Sequence, residues 1–157
     1  MNHEESKLQQ QCVAWFRAQY PHYAMLLTHP INEGSRNTRV SGAIHKAEGT
    51  VAGVPDLLLF LPTRITEISI YYGLGVEIKT SKGSQSQKQK EFQKMFEAAG
   101  YMYVVVRNLE GFQKTINSYI YRTPKDILIY VSEAHCKIKK AAEAKEREHF
   151  YKVIGKK

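Results

Sequence analysis

The chain has 157 residues, 43% hydrophobic and 24% charged, which suits one globular domain rather than a disordered or two-domain chain. No apolar run approaches the ~18 residues that a membrane span needs, and the N-terminal MNHEESKLQQQ lacks the basic and apolar regions of a secretory signal. The cytoplasm is therefore the expected location, and the net charge of +8 favours a polyanionic partner.

Taken in chain order, the first predicted element is a helix over Glu4 to Tyr20. Leu8, Cys12, Trp15 and Phe16 recur at helical spacing, and Pro21 stands just past the end. At about 100° per residue, Glu5 projects near the centre of that apolar stripe and Glu4 lies further off it. Cys12 has no CxxC or Cys/His partner spacing, nor does Cys136, so both read as reduced thiols. Tyr23 to Thr28 reads as a short strand, leading into His29-Pro30-Ile31-Asn32-Glu33-Gly34. From Ser35 to Gly53 the chain is basic and glycine-punctuated, with Arg36, Arg39, His45 and Lys46, and a short helix is expected from Val40 to Glu48. That stretch is read as a phosphate-positioning surface.

GVPDLLLF begins at Gly53 and GVEIK at Gly75. Leu57 to Phe60, between Pro55 and Pro62, and Val76 to Thr80 read as two short strands. If they pair as an antiparallel hairpin turning near Ile65 to Glu67, Asp56 falls opposite Glu77, within the ~5 Å typical of cross-strand neighbours. A bulge at Gly73 or Gly75 would slip that register. Alternation along the second strand puts Glu77 and Lys79 on one face and Val76, Ile78 and Thr80 on the other. Two carboxylates and an ammonium at one strand end suit a hard divalent cation such as Mg²⁺ or Mn²⁺, with the backbone carbonyl of Ile78 as a further ligand. Lys79 is then placed to deprotonate or orient a water, or to stabilise charge developing on a phosphate.

Ser86 and Gln89 form the S-x-x-Q of a capping box, and Phe92, Met95, Phe96 and Ala99 follow as the core stripe of a helix ending at Gly100. Gln89 either only closes the cap or also reaches the site. Lys82, Lys88 and Lys90 cluster near the helix start, where backbone N–H groups also hold phosphate. Tyr101 to Arg107 reads as a central strand covered on both faces, parallel to the GVEIK strand, with Arg107 and Asn108 lining the groove at its end. Leu109 to Tyr121 is a further helix with Phe112, Ile116 and Tyr119 or Ile120 inward. A last helix starts at Thr123-Pro124 and runs to about Phe150, although its ILIYV segment also fits a strand.

GVPDLLLF, VEIKT, GSQSQKQKEFQ and AAGYMYVVVRN, taken together, resemble the VRR-NUC branch of the PD-(D/E)XK nuclease superfamily, and in particular its small stand-alone members from phages and prophages. The resemblance runs from about Glu5 to Asn108. It implies an α/β, restriction-endonuclease-like core, a mixed β-sheet flanked by helices. Residues 1–122 would form the nuclease domain and 123–157 a C-terminal helical extension of it. It further implies a Mg²⁺- or Mn²⁺-dependent endonuclease, in which Glu5 joins Asp56 and Glu77 at the metal and Gln89 supports the site. His29, in an H-x-x-N-E-like segment, is implied to contact substrate phosphate or to support the site. The implied substrate is branched or junction DNA cut by a homodimer, in a bacterial or phage-infected cell. A sequence-specific restriction-type enzyme and a catalytically idle DNA-binding module are the rival readings.

Overall fold

The computed structural model describes residues 3–30, 47–66 and 69–154. Helix α1 (His3–Gln19) turns Cys12 and Phe16 wholly inward, with Glu4 and Glu5 in its first turn and Arg17 in its last, as the helix dipole favours. The expected strand from Tyr23 is instead a 3-10 helix (Pro21–Leu26), and only Leu27–Thr28 extends as β1. The residues explain this correction. Tyr20, Tyr23 and Leu26 pack on the core at intervals of three, the period of a 3-10 helix, while Met25 is 72% exposed.

A four-stranded mixed sheet in the order β1-β2-β5-β6 forms the centre. Strand β2 (Leu57–Leu59) lies antiparallel to β1 and to β5 (Leu74–Ile78), with Leu57 opposite Val76. Continued by one position, this register sets Asp56 opposite Glu77. A two-stranded ribbon of β3 (Thr63–Arg64) and β4 (Ile70–Tyr71) carries the hairpin outward. Phe60, Leu61 and Pro62 on one side face only Tyr72 and Gly73 on the other, so the extra residue sits outside the β2–β5 ladder. Gly75 pairs regularly with Leu58, and the register at the acidic pair does not slip.

All five residues of β5 are buried, so the sheet is covered on both faces there. On one face lie α1 and α3 (Leu109–Tyr121), which join Phe16, Phe112 and Ile116 to Leu57, Leu59, Val76 and Ile78. Each such side chain contributes roughly 1.5–3 kcal/mol on burial. On the other face lies α2 (Gln87–Ala98), capped by Ser86 in a complete capping box with Gln89. The expected stripe of α2 is only partly used. Phe92 and Phe96 are half-buried, whereas Met95 is 73% exposed and Ala99 is exposed. The helix meets the sheet along Gln89, Phe92, Gln93 and Phe96, and Met95 lies off that line.

Strand β6 (Met102–Val106) runs parallel to β5, as expected, but forms the sheet edge rather than its centre among the described strands. Val105 accordingly keeps 37% of its surface in solvent. The last element, α4 (Lys125–Ile154), is one helix through ILIYV. Ile127, Leu128 and Val131 pack on the core while Ile129 and Tyr130 face outward, a helical and not a strand pattern. Most of α4 beyond Ser132 is exposed, and Cys12 and Cys136 are free thiols. Among the described residues, no helix is long and apolar enough to cross a membrane.

Candidate active site

Several segments converge at the end of the sheet where β2 begins and β5 finishes. Pro55 is buried and Asp56 follows it into β2, where its Oδ2 accepts the Ile78 backbone N–H at 2.7 Å. Glu77, next to Ile78, has no solvent exposure. Its Oε1 accepts from Lys79 Nζ and from Gln89 Nε2, both at 2.5 Å, and its Oε2 accepts from the Tyr103 hydroxyl at 3.1 Å. The side chain of Lys79 is itself only 12% exposed.

Gln89 serves both of the places that its position offers. Its Oε1 closes the cap on Ser86 N at 2.8 Å while its Nε2 reaches Glu77. The loop before Asp56 makes this possible: Gly53 has φ +94°, and a Cβ there would stand 2.4 Å from the Lys88 carbonyl. Only glycine allows the approach, which brings the start of α2 against the start of β2.

From α1, Glu5 Oε1 accepts the Thr80 N–H at 3.2 Å, whereas Glu4 is exposed. His29 Nδ1 donates to the Asp56 carbonyl at 2.7 Å. Since a carbonyl only accepts, Nδ1 carries the proton in this contact. Lys82 and Lys88 are exposed. Arg36, Arg39 and Lys46, the rest of the predicted phosphate surface, lie outside the described residues, as does most of the helix expected from Val40 to Glu48.

Burial raises the Asp56 carboxyl above its ordinary value of 3.8; the Ile78 N–H and Lys79 oppose that rise and the charge of Glu5 adds to it. Glu77 is raised from 4.5, again chiefly by burial, with Lys79 opposing and the Asp56 charge adding. These are facing acids that resist ionising together. Among the described residues, no three of His, Cys, Asp and Glu form a ready-made metal-binding group. The donor chemistry nevertheless fits a hard cation, because buried, mutually repelling carboxylates gain from a positive charge between them.

Two contributors carry no sequence motif for these roles. By sequence Tyr103 is only part of an apolar run, yet it shares the sheet face of Glu77 and its buried hydroxyl serves that carboxylate and Gln85. The available signal was register, since β5 and β6 pair Gly75 with Tyr103 and Glu77 with Val105. Arg107, expected in the groove, also fixes the turn after Lys79: its Nη1 donates to the carbonyls of Thr80 at 2.5 Å and Gly83 at 2.8 Å. Beside this turn opens a cleft of about 350 Å³ lined by residues of α1, the turn and the start of α3, among them Arg107 and Asn108.

The fold and site together describe an α/β protein with a carboxylate–lysine centre at one end of a mixed sheet. The VRR-NUC domain profile matches residues 1–108, more than half of the chain, and the chain belongs to the VRR-NUC domain family. That membership points to a nuclease. A solved structure described as a VRR_NUC domain protein superposes with a TM-score of 0.64 at 24% identity, covering 78% of this chain and 93% of the other, which shows a shared fold. Comparison with curated proteins gives no match.

Proposed function

We propose that the protein is a Mg²⁺- or Mn²⁺-dependent endodeoxyribonuclease built on a restriction-endonuclease-like, PD-(D/E)XK core. The observation that carries this reading is the meeting of Asp56, Glu77 and Lys79 at one sheet end, with Lys79 Nζ on Glu77. Asp56 and Glu77 would hold the cation, with the Ile78 carbonyl and Glu5 completing its shell. When bound, the cation supplies Lewis acidity toward the phosphate and toward water.

The chain's own groups do the rest. Lys79 places a positive charge and a proton donor where the phosphate becomes more negative. Gln89 and Tyr103 hold the Glu77 carboxylate in one orientation, and Arg107 holds the turn that follows Lys79. His29, Lys82, Lys88 and the basic residues Arg36, Arg39 and Lys46 contact DNA phosphates. Residues 1–122 form the nuclease domain and 123–157 a helical extension of it, a division supported by the exposure of most of α4. The preferred substrate is branched DNA of the four-way-junction type, cut in the cytoplasm by a homodimer that brings two sites to two strands.

The test is incubation of purified protein with labelled linear duplex, flap and junction DNA at fixed salt, with Mn²⁺ or with chelator. Metal-dependent cutting that prefers junctions supports the proposal, and cutting of one duplex sequence alone favours the restriction-type reading. Salt-dependent binding without any cutting establishes the idle module instead. Lys79→Ala is expected to keep DNA binding and to lose at least about 100-fold in cutting rate. Equal cutting by variant and wild type rejects the role given to Lys79.

A further inference from the structure

The cleft of about 350 Å³ beside Lys79 is in the size range of small-molecule sites, too small for a duplex and ample for one nucleoside. Its charges cancel. Glu4 and Glu5 on α1 stand against Lys79 and Arg107. Lys79 Nζ is held at the carboxylate centre by Glu77, and Arg107 Nη1 is held by the backbone carbonyls of the turn, so neither is given over to the cleft. An anion is therefore poorly served there, and a neutral ligand is favoured.

The remaining walls say which kind. Leu8 and Leu109 present apolar surface, while Gln11 and Asn108 present amide edges. Asn108 Oδ1 is committed to capping α3 through Gly111 N at 2.7 Å, which leaves its NH₂ to donate. Apolar faces combined with amide donors and acceptors at the rim match a flat, neutral heterocycle with a hydrogen-bonding edge. Glu5 and Lys79 belong both to this cleft and to the carboxylate centre, so an occupant lies within one nucleotide of the phosphate being cut.

We propose that this cleft receives the unstacked base of a nucleotide flanking the scissile phosphate, an inference that rests on the nuclease reading above. A paired, stacked base cannot enter without being extruded, at a cost that is smallest where pairing is already broken. The cleft thus selects branch points, flaps and mismatches over continuous duplex, and it does so before any bond is cleaved.

Two variants at exposed positions test this without touching the catalytic groups: Ser81→Trp, which fills the cleft, and Gln11→Ala, which removes an amide edge. The first readout uses junction DNA carrying 2-aminopurine at each position around the cut, bound in chelator so that cleavage plays no part. Wild type is expected to raise the fluorescence at one flanking position, and Ser81→Trp to leave it quenched while still binding. The second readout is cutting in Mn²⁺ of the same DNA with an abasic residue at that position. The missing base is expected to cost wild type about tenfold in kcat/KM, Gln11→Ala less, and Ser81→Trp nothing. Binding with quenched fluorescence at every position, or cutting indifferent to the abasic residue, overturns the base site and leaves the nuclease reading standing. Failure to cut any DNA rejects the nuclease reading instead, and the fluorescence in chelator still decides the cleft.

Discussion

Asp56→Asn is expected to make the metal-free protein more stable at pH 7. The register sets Asp56 opposite Glu77, where cross-strand groups are separated by ~5 Å, and two unit charges at that distance repel by about 3 kcal/mol at an effective dielectric of 20. Lys79 lies near both acids and offsets most of that, which leaves burial as the main penalty on the Asp56 charge. The amide keeps the acceptor for Ile78 N and sheds the charge, for a net gain of about 1 kcal/mol. In a chain of this size, that gain raises Tm by about 2–4 °C. The sign with pH follows from linkage. The carboxyl pKa is raised on folding, so the folded protein holds a proton that the unfolded chain has released, and stability falls as pH rises from the ordinary value of 3.8. The advantage of Asp56→Asn therefore shrinks on acidification, and the two melting curves converge near pH 4. Thermal melts in chelator at pH 7 and pH 4 are the assay. A variant melting below wild type at pH 7 would refute the reasoning, because Asp56 would then be a net stabiliser of the empty fold.

The same acids are expected to give the opposite response to cation: Mn²⁺ at 100 times its Kd should stabilise the wild type by about 2.7 kcal/mol, and Asp56→Asn is expected to lose most of that shift in a parallel melt. Tyr103→Phe removes one of three donors to Glu77; about 1 kcal/mol of stability and a several-fold drop in kcat at unchanged KM are expected, checked by melts and steady-state cutting. Ser86→Ala removes the acceptor for Gln89 N and is expected to cost about 1 kcal/mol, measured by urea unfolding. Because Gln89 Nε2 also holds Glu77, its cutting rate falls too, whereas a cap with no link to the site would leave that rate unchanged.

What the sequence by itself determined was local. Apolar spacing located α1 and α3, the S-x-x-Q pattern located the start of α2, and period-two alternation with one short hairpin was enough to set Asp56 against Glu77. These features depend on neighbours a few residues away or on one antiparallel pairing, whose register the chain itself carries. The tertiary structure decided which faces are covered. Tyr101 to Arg107 looks central by composition, yet β6 is an edge strand because nothing among the described residues pairs beyond it. Met95 looks like core and is exposed because α2 meets the sheet along another line. The three donors on Glu77 arrive from the residue just past the strand, from the cap of a crossover helix and from a parallel neighbour. No local pattern brings them together; the packing of α2 and β6 around β5 does, because a carboxylate sealed from water must find its partners within the fold.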